Sequence, residues 1–192
     1  MVVAQSILDK NGVQVAASAA DPVSIEAGKV AKVTQSLAVA APALWSLEER
    51  NLYTMKTTVT VGGVKSDEYL TTFGFRTVEF NPSKGFHLNG KHVKLKGVAE
   101  HHDLGALGAA MNFRALERKM QILKAMGVNC IRTAHNPPAP EMMQLADELG
   151  FLIINEAFDI WGGASKSTSD YARFWTVVSR DGRQWHEGPT RT

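Results

Sequence analysis

From about residue 86 the chain alternates short apolar runs with amphipathic stretches, and this pattern restricts the fold more than any other feature. Val93 to Val98 (VKLKGV) reads as a strand. Phe113 to Met126 (FRALERKMQILKAM) reads as a helix, because Leu116, Met120 and Leu123 recur at i, i+4, i+7 with Ile122 at the margin of that face. Asn112 is placed to cap its start and Gly127 to end it. Val128 to Ala134 (VNCIRTA) is a second strand, and Pro140 to Leu149 a second helix, with proline in its first turn and Gly150 beyond its end. Phe151 to Ile154 (FLII) is a third strand, apolar throughout as a strand buried on both faces must be. Strand, helix, strand, helix, strand at this spacing implies right-handed βαβ units and a parallel sheet.

Before about residue 82 the period is that of strands. Val13, Val15 and Ala17 alternate along one run, and Val30, Val33, Leu37 and Val39 sit among Thr, Ser and Gln. Tyr53 to Val61 alternates through Tyr, Met, Thr and Val. Asn11-Gly12 and Gly62-Gly63 are hairpin-type turns. Short strands at this spacing imply an antiparallel sandwich. An immunoglobulin-like sandwich has about seven strands in ~100 residues, so residues 1–81 are expected to lack the first of them. The stretch 162–192 has no periodicity beyond a possible helix from Tyr171 to Val178, and reads as a divergent, loosely ordered tail.

Composition narrows the class. The formal net charge is only +2 with Lys and Arg scattered, so nothing forms the basic stripe of a nucleic-acid binder. No apolar run approaches the ~20 residues of a membrane span. The one cysteine, Cys130, precludes an intramolecular disulfide and fits a reducing compartment. With no apolar leader read at the start, the expected location is the cytoplasm.

The unusual polar residues cluster after the three strands of the parallel sheet. Glu100, His101, His102 and Asp103 follow the first, His135 and Asn136 the second, and Asn155, Glu156, Asp159 and Trp161 the third. The C-terminal ends of parallel strands are where α/β folds build active sites. Plainer roles stand beside this one. The two histidines suit capping of backbone groups, Arg132 suits an ion pair with Glu156, and Trp161 suits either core packing or stacking on a sugar face. The spacing is not HExxH and fixes no ligand pair at i, i+4, so no metal or other cofactor is expected.

Several segments together resemble glycoside hydrolase family 2, in its β-galactosidase-like branch. Trp45-Ser46-Leu47-Glu48 with Asn51-Leu52-Tyr53 is similar to an element of that family's immunoglobulin-like domain. Phe73-Gly74-Phe75-Arg76 resembles the strand joining sandwich to barrel, and Gly85-Phe86-His87-Leu88-Asn89-Gly90-Lys91 the hairpin that opens the barrel. Lys96-Gly97-Val98 with His101-His102-Asp103-Leu104-Gly105 resembles the first-strand motif. Asn129 to Pro138 (NCIRTAHNPP) and Asn155-Glu156-Ala157-Phe158-Asp159 resemble the second- and third-strand signatures. The resemblance implies a partial immunoglobulin-like β-sandwich (1–81), then the first three β/α units of an incomplete TIM barrel (82–161). A closed barrel usually takes ~250 residues, and this chain has 192.

The resemblance further implies hydrolysis of terminal β-linked sugars with retention, by two carboxylates about 5–5.5 Å apart. In the family these glutamates follow the fourth and seventh barrel strands, beyond the three found here. His135 matches a residue that contacts the sugar, and His102 and Asp103 match the rim of the sugar pocket; His101, Asn136, Asp159 and Trp161 join them as substrate-binding candidates from their places after the strands. Three alternatives follow. The chain is a glycosidase working with carboxylates it holds, Glu156 and Glu100 first, with desolvation raising the Glu156 pKa toward acid/base use. Or it is a catalytically silent sugar-binding or interaction module. Or it is a fragment completed by other chains, the apolar third strand being an edge that invites a homodimer.

Overall fold

A computed structural model describes residues 1–157. The chain divides into two compact units. One holds Met1–Leu95 with Asp147–Gly150, and the other holds Lys96–Ala146 with the described chain from Phe151.

In the first unit β1 (Val2–Leu8), β2 (Gln14–Ala19), β3 (Tyr53–Val61) and β4 (Val64–Phe73) form an antiparallel sheet in the order β2-β1-β3-β4. Both expected turns are present. Asn11-Gly12 joins β1 to β2, and its backbone is held by Asp9, whose carboxylate accepts from Asn11 N and Val13 N. Gly62 and Gly63 have φ of 58° and 82°, the doubly positive pair of a two-residue hairpin turn whose twist matches the strands. The strand expected around Val30 to Val39 differs. Residues 31–40 alternate between half-buried and exposed, as a strand would, yet no ladder partner hydrogen-bonds them. Alternation reports sidedness; pairing needs a neighbour, which the pattern does not supply.

A second antiparallel sheet of this unit has β5 (Val78–Asn81), β6 (Gly85–Leu88) and β7 (Lys91–His92). Asn89 and Gly90, with φ of 52° and 75°, turn the β6–β7 hairpin. The Asn89 amide donates to Trp45 O at 2.9 Å, and its Oδ1 accepts from Thr77 N at 2.9 Å. Trp45 is buried, and Gly74 is needed beside it, since a Cβ there would lie 3.0 Å from the Trp45 Cβ. The Arg76 guanidinium sits 4.9 Å over the indole.

The second unit is the expected parallel one. Strands β8 (Gly97–Glu100), β9 (Cys130–Thr133) and β10 (Leu152–Ile154) form a sheet in the order β10-β9-β8, joined by α1 (Phe113–Ala125) and α2 (Pro140–Leu149). Strand β9 lies in the middle, and Cys130, Ile131 and Thr133 are buried. The Asn112 side chain caps α1 by accepting from Ala115 N at 3.0 Å, and Gly127 ends it with φ 86°. Leu116 and Met120 bury the helix face, whereas Ile122 is 45% exposed and so outside it. The first strand is displaced from the expected Val93 to Val98 and begins at Gly97. Residues 93–96 carry the apolar alternation, but the ladder to β9 starts with Gly97 opposite Cys130, where a Cβ would sit 3.3 Å from the Cys130 carbonyl. Glu100 is therefore the last residue of β8 instead of lying beyond it. Among the described residues no helix is long and apolar enough to cross a membrane.

The Asn112 cap gives a direct check on the βαβ reading. Asn112→Ala should destabilise the protein by about 1 kcal/mol, while Asn112→Gly costs only a few tenths. Urea unfolding of the two variants measures the difference, and equal losses would mean the cap bond is not what stabilises the start of α1.

Candidate active site

The polar residues of the second unit gather at the C-terminal ends of β8, β9 and β10. Arg132 occupies the half-buried position of β9, and two residues beyond the strand the chain reaches His135 through a cis Ala134–His135 peptide bond. Glu156 comes two residues after β10. The Arg132 Nε donates to Glu156 Oε1 at 2.6 Å, and His135 Nδ1 lies 3.1 Å from Glu156 Oε2. Both oxygens of one carboxylate are thus engaged, and its side chain is only 15% exposed. The Thr133 hydroxyl, itself buried, accepts from Glu156 N at 3.0 Å and donates to Asn155 Oδ1 at 3.4 Å, which fixes the backbone from which Glu156 projects.

Partial burial pushes the Glu156 carboxyl upward, but the hydrogen bonds from Arg132 and His135, with the charges behind them, outweigh that effect. Its pKa ends below the ordinary glutamate value. The upward shift expected from the sequence is therefore reversed: the Arg132 pairing was legible there, but the second donor, His135, was not. An ionised carboxylate can only accept, so the 3.1 Å contact requires the hydrogen of His135 to be on Nδ1. The longer 3.4 Å approach of Arg132 Nη2 to the same nitrogen cannot then be a donation to it. The His101 ring meets that of His135 edge-on at 5.4 Å between centroids.

Glu100 makes an ion pair with Lys119 of α1. Lys119 also donates to the backbone oxygen of Asp103 at 3.0 Å, so this lysine ties the end of β8 and the loop after it to the helix. The Asp103 carboxylate accepts from Gly105 N at 3.2 Å and closes the single 3₁₀ turn Gly105–Leu107. His101, His102 and Asp103 are exposed and border a cavity of about 100 Å³ whose floor includes Leu116 and Met142. Asn136 is half-buried in the loop after β9. Asp159 and Trp161 lie outside the described residues. Sequence reasoning missed Lys119 and Thr133. Lys119 carried a faint signal, since it borders the apolar stripe next to Met120; Thr133 carried none.

The model of the glycosyl hydrolases family 2 TIM barrel domain matches residues 78–187, and the glycosyl hydrolases family 2 model matches residues 1–76. The chain belongs to glycosyl hydrolase family 2. The barrel match thus takes in most of the stretch beyond Gly162 that the sequence pattern set apart. A β-galactosidase of Bacteroides ovatus is 45% identical over 187 residues, 97% of this chain and 21% of that protein. A β-glucuronidase of Bacteroides fragilis is 32% identical over 171 residues, 88% of this chain and 25% of its own length. A crystal structure of a family 2 member from Bacteroides cellulosilyticus superimposes with a TM-score of 0.81 at 39% identity, over 90% of this chain and 22% of that one. The chain therefore spans about a fifth to a quarter of these relatives.

The lowered pKa of Glu156 has a consequence for stability. A carboxyl whose folded pKa lies below its unfolded value adds stability that is fully present above the unfolded value, about 4.3, and is lost as pH falls through the folded one. Glu156→Gln should therefore be less stable than wild type at neutral pH, with the gap closing as pH drops below about 4. Urea midpoints across that range test it; a gap independent of pH would mean that the charge of Glu156 does not contribute.

Proposed function

We propose that this chain forms the sugar-facing first part of a β-glycoside hydrolase site, acting on terminal β-linked sugars of the galactoside type. The observation that carries the reading is the Arg132–Glu156–His135 chain of hydrogen bonds at the C-terminal rim of the parallel sheet. The tautomer it fixes supports a role for the His135 imidazole in holding the sugar. In this reading His135 contacts the sugar and Glu156 acts through His135 as a positioning group. Glu156 is ionised and doubly bonded, which suits holding a partner better than giving up a proton. Glu100, spent on Lys119, holds the rim loop. The acid/base and nucleophile pair that retention requires then comes from elsewhere in the complete enzyme. His101, His102, Asp103 and Asn136 complete the rim of the sugar pocket, with Asp159 and Trp161 assigned to it from the sequence alone. The galactoside preference follows the 45% identical relative, whose name is a β-galactosidase. The buried free thiol of Cys130 accords with work in the cytoplasm.

In the complete enzyme, His135→Ala should lower kcat/KM for an aryl β-galactoside by roughly 10²–10³, the scale for losing one preorganised hydrogen-bonding group whose contact with the sugar strengthens in the transition state. Glu156→Gln should lower it less, and chiefly through kcat. Wild-type turnover by His135→Ala would remove His135 from the site, and preference for an aryl β-glucuronide would replace the sugar. If the chain binds galactose without any turnover, the silent sugar-binding reading takes its place.

We also propose that the chain self-associates. Among the described residues the parallel sheet ends at β10, where Ile154 is 49% exposed. An apolar strand edge with unpaired backbone groups favours pairing with a second copy. Sedimentation at micromolar concentration should show a dimer burying more than ~1,000 Å²; a stable monomer rules it out.

A further inference from the structure

The β5–β6–β7 sheet has two unlike faces. The ladder pairs Val78 with Leu88 and Phe80 with Phe86, which places the apolar side chains on one face. On the other face Glu79 stands opposite His87, and His87 opposite His92, so one acid and two imidazoles form a row across three adjacent strands. Residues paired in this way have Cβ atoms about 4.5–5.5 Å apart, within reach of one common ligand.

We propose that this row is a binding site for a borderline transition-metal dication such as Zn²⁺, Ni²⁺ or Cu²⁺. The two imidazoles supply the primary ligands and Glu79 swings in as the third. The ring spacing is close to that required. The His87 and His92 centroids are 5.5 Å apart at an interplanar angle of 68°. Two imidazoles on one tetrahedral ion at the usual ~2.0–2.1 Å metal–nitrogen distance have centroids roughly 5 Å apart. The backbone is shaped for the pair as well. Gly85 has φ 80°, and a Cβ there would come within 3.2 Å of His92 Nε2, so glycine leaves the room that the His92 ring occupies. His87 Nδ1 lies 3.3 Å from Gly85 O. A donation from Nδ1 to that carbonyl leaves Nε2 with its lone pair for a metal, the common arrangement behind a ligating histidine. Among the described residues no three His, Cys, Asp or Glu side chains already converge on one point. Glu79 is exposed and stands opposite His87, so the proposal has its side chain swing in to join the pair. Imidazole with one carboxylate suits these ions and rejects Mg²⁺ and Ca²⁺, which prefer oxygen. A bound ion would cross-link β5, β6 and β7 and stabilise the sheet by mass action.

Untagged protein is titrated with Zn²⁺ and with Ni²⁺ by calorimetry. The background is a variant in which His101, His102, His135 and His186 are all Gln, so that of the six histidines only the pair remains. Circular dichroism confirms that it is folded. One equivalent should bind, with Cu²⁺ tighter than either metal and no uptake of Mg²⁺. His87→Gln or His92→Gln added to that background should each weaken binding by about tenfold or more, and Glu79→Gln by less. The melting temperature should rise with metal in the background protein and not in the His92→Gln form. Absence of saturable binding in the four-Gln background overturns the proposal. Binding that survives loss of both His87 and His92 does so too.

Discussion

Glu156 receives Arg132 on one oxygen and faces His135 with the other, and the geometry of the rim depends on that one carboxylate. Arg132 leaves β9, His135 follows it, and Glu156 follows β10, so the two contacts hold the ends of adjacent parallel strands together. The Arg132 and His135 side chains are 42% and 45% exposed, so solvent screens the attraction and what the carboxylate supplies is chiefly geometric. The same bonds set the protonation state. They keep the carboxyl ionised against a burial that pushes the other way, and an ionised acceptor decides which nitrogen of His135 carries hydrogen. One pair of contacts thus holds the two strand ends together and fixes which nitrogen of His135 carries hydrogen toward Glu156.

A second ion pair does comparable work at β8. Lys119 reaches Glu100 with its charge and the Asp103 carbonyl with a hydrogen bond. Its side chain is about a third exposed, so solvent screens the pair and its contribution to stability is modest. Its role is geometric: it orients the loop bearing His101, His102 and Asp103 over the start of α1. The apolar framework beneath makes this possible, since a central strand with Ile131 wholly buried leaves polar residues no place except the strand ends. A sheet of this kind concentrates chemistry at its rim.

Family membership and the site geometry bear on different questions. The family models cover nearly the whole chain, and relatives named β-galactosidase and β-glucuronidase match it at 45% and 32% identity. The matched stretches are only 21% and 25% of those relatives, so the chain corresponds to one portion of a family 2 enzyme. Within that portion Glu156 and Glu100 are each paired with a cation, and Asp103 accepts from a backbone N–H. That condition is typical of groups that hold others in place, and function is argued from it and not from the fold.

The sequence alone determined the local elements whose causes are local. Tyr53 to Val61 alternates and is β3; Pro140 to Leu149 has its proline and its terminal glycine and is α2; Asn112 and Gly127 bound α1. Gly62-Gly63 forms a turn because few other residues tolerate positive φ at successive positions, and at Asn11-Gly12 only the glycine has it. The motif series also placed His135 and Glu156 at the same end of the sheet. What only the tertiary structure decided was partnership. Residues 31–40 alternate in burial but have no ladder, and β8 begins at Gly97 because pairing with Cys130, and not apolar alternation, sets its register. Lys119 meets Glu100 across 19 residues of chain, and the Glu156 pKa falls instead of rising because two donors outweigh desolvation. Periodicity reports which side of an element faces the core, whereas the sign of a pKa shift and the choice of an ion-pair partner depend on distances that exist only after distant segments have packed.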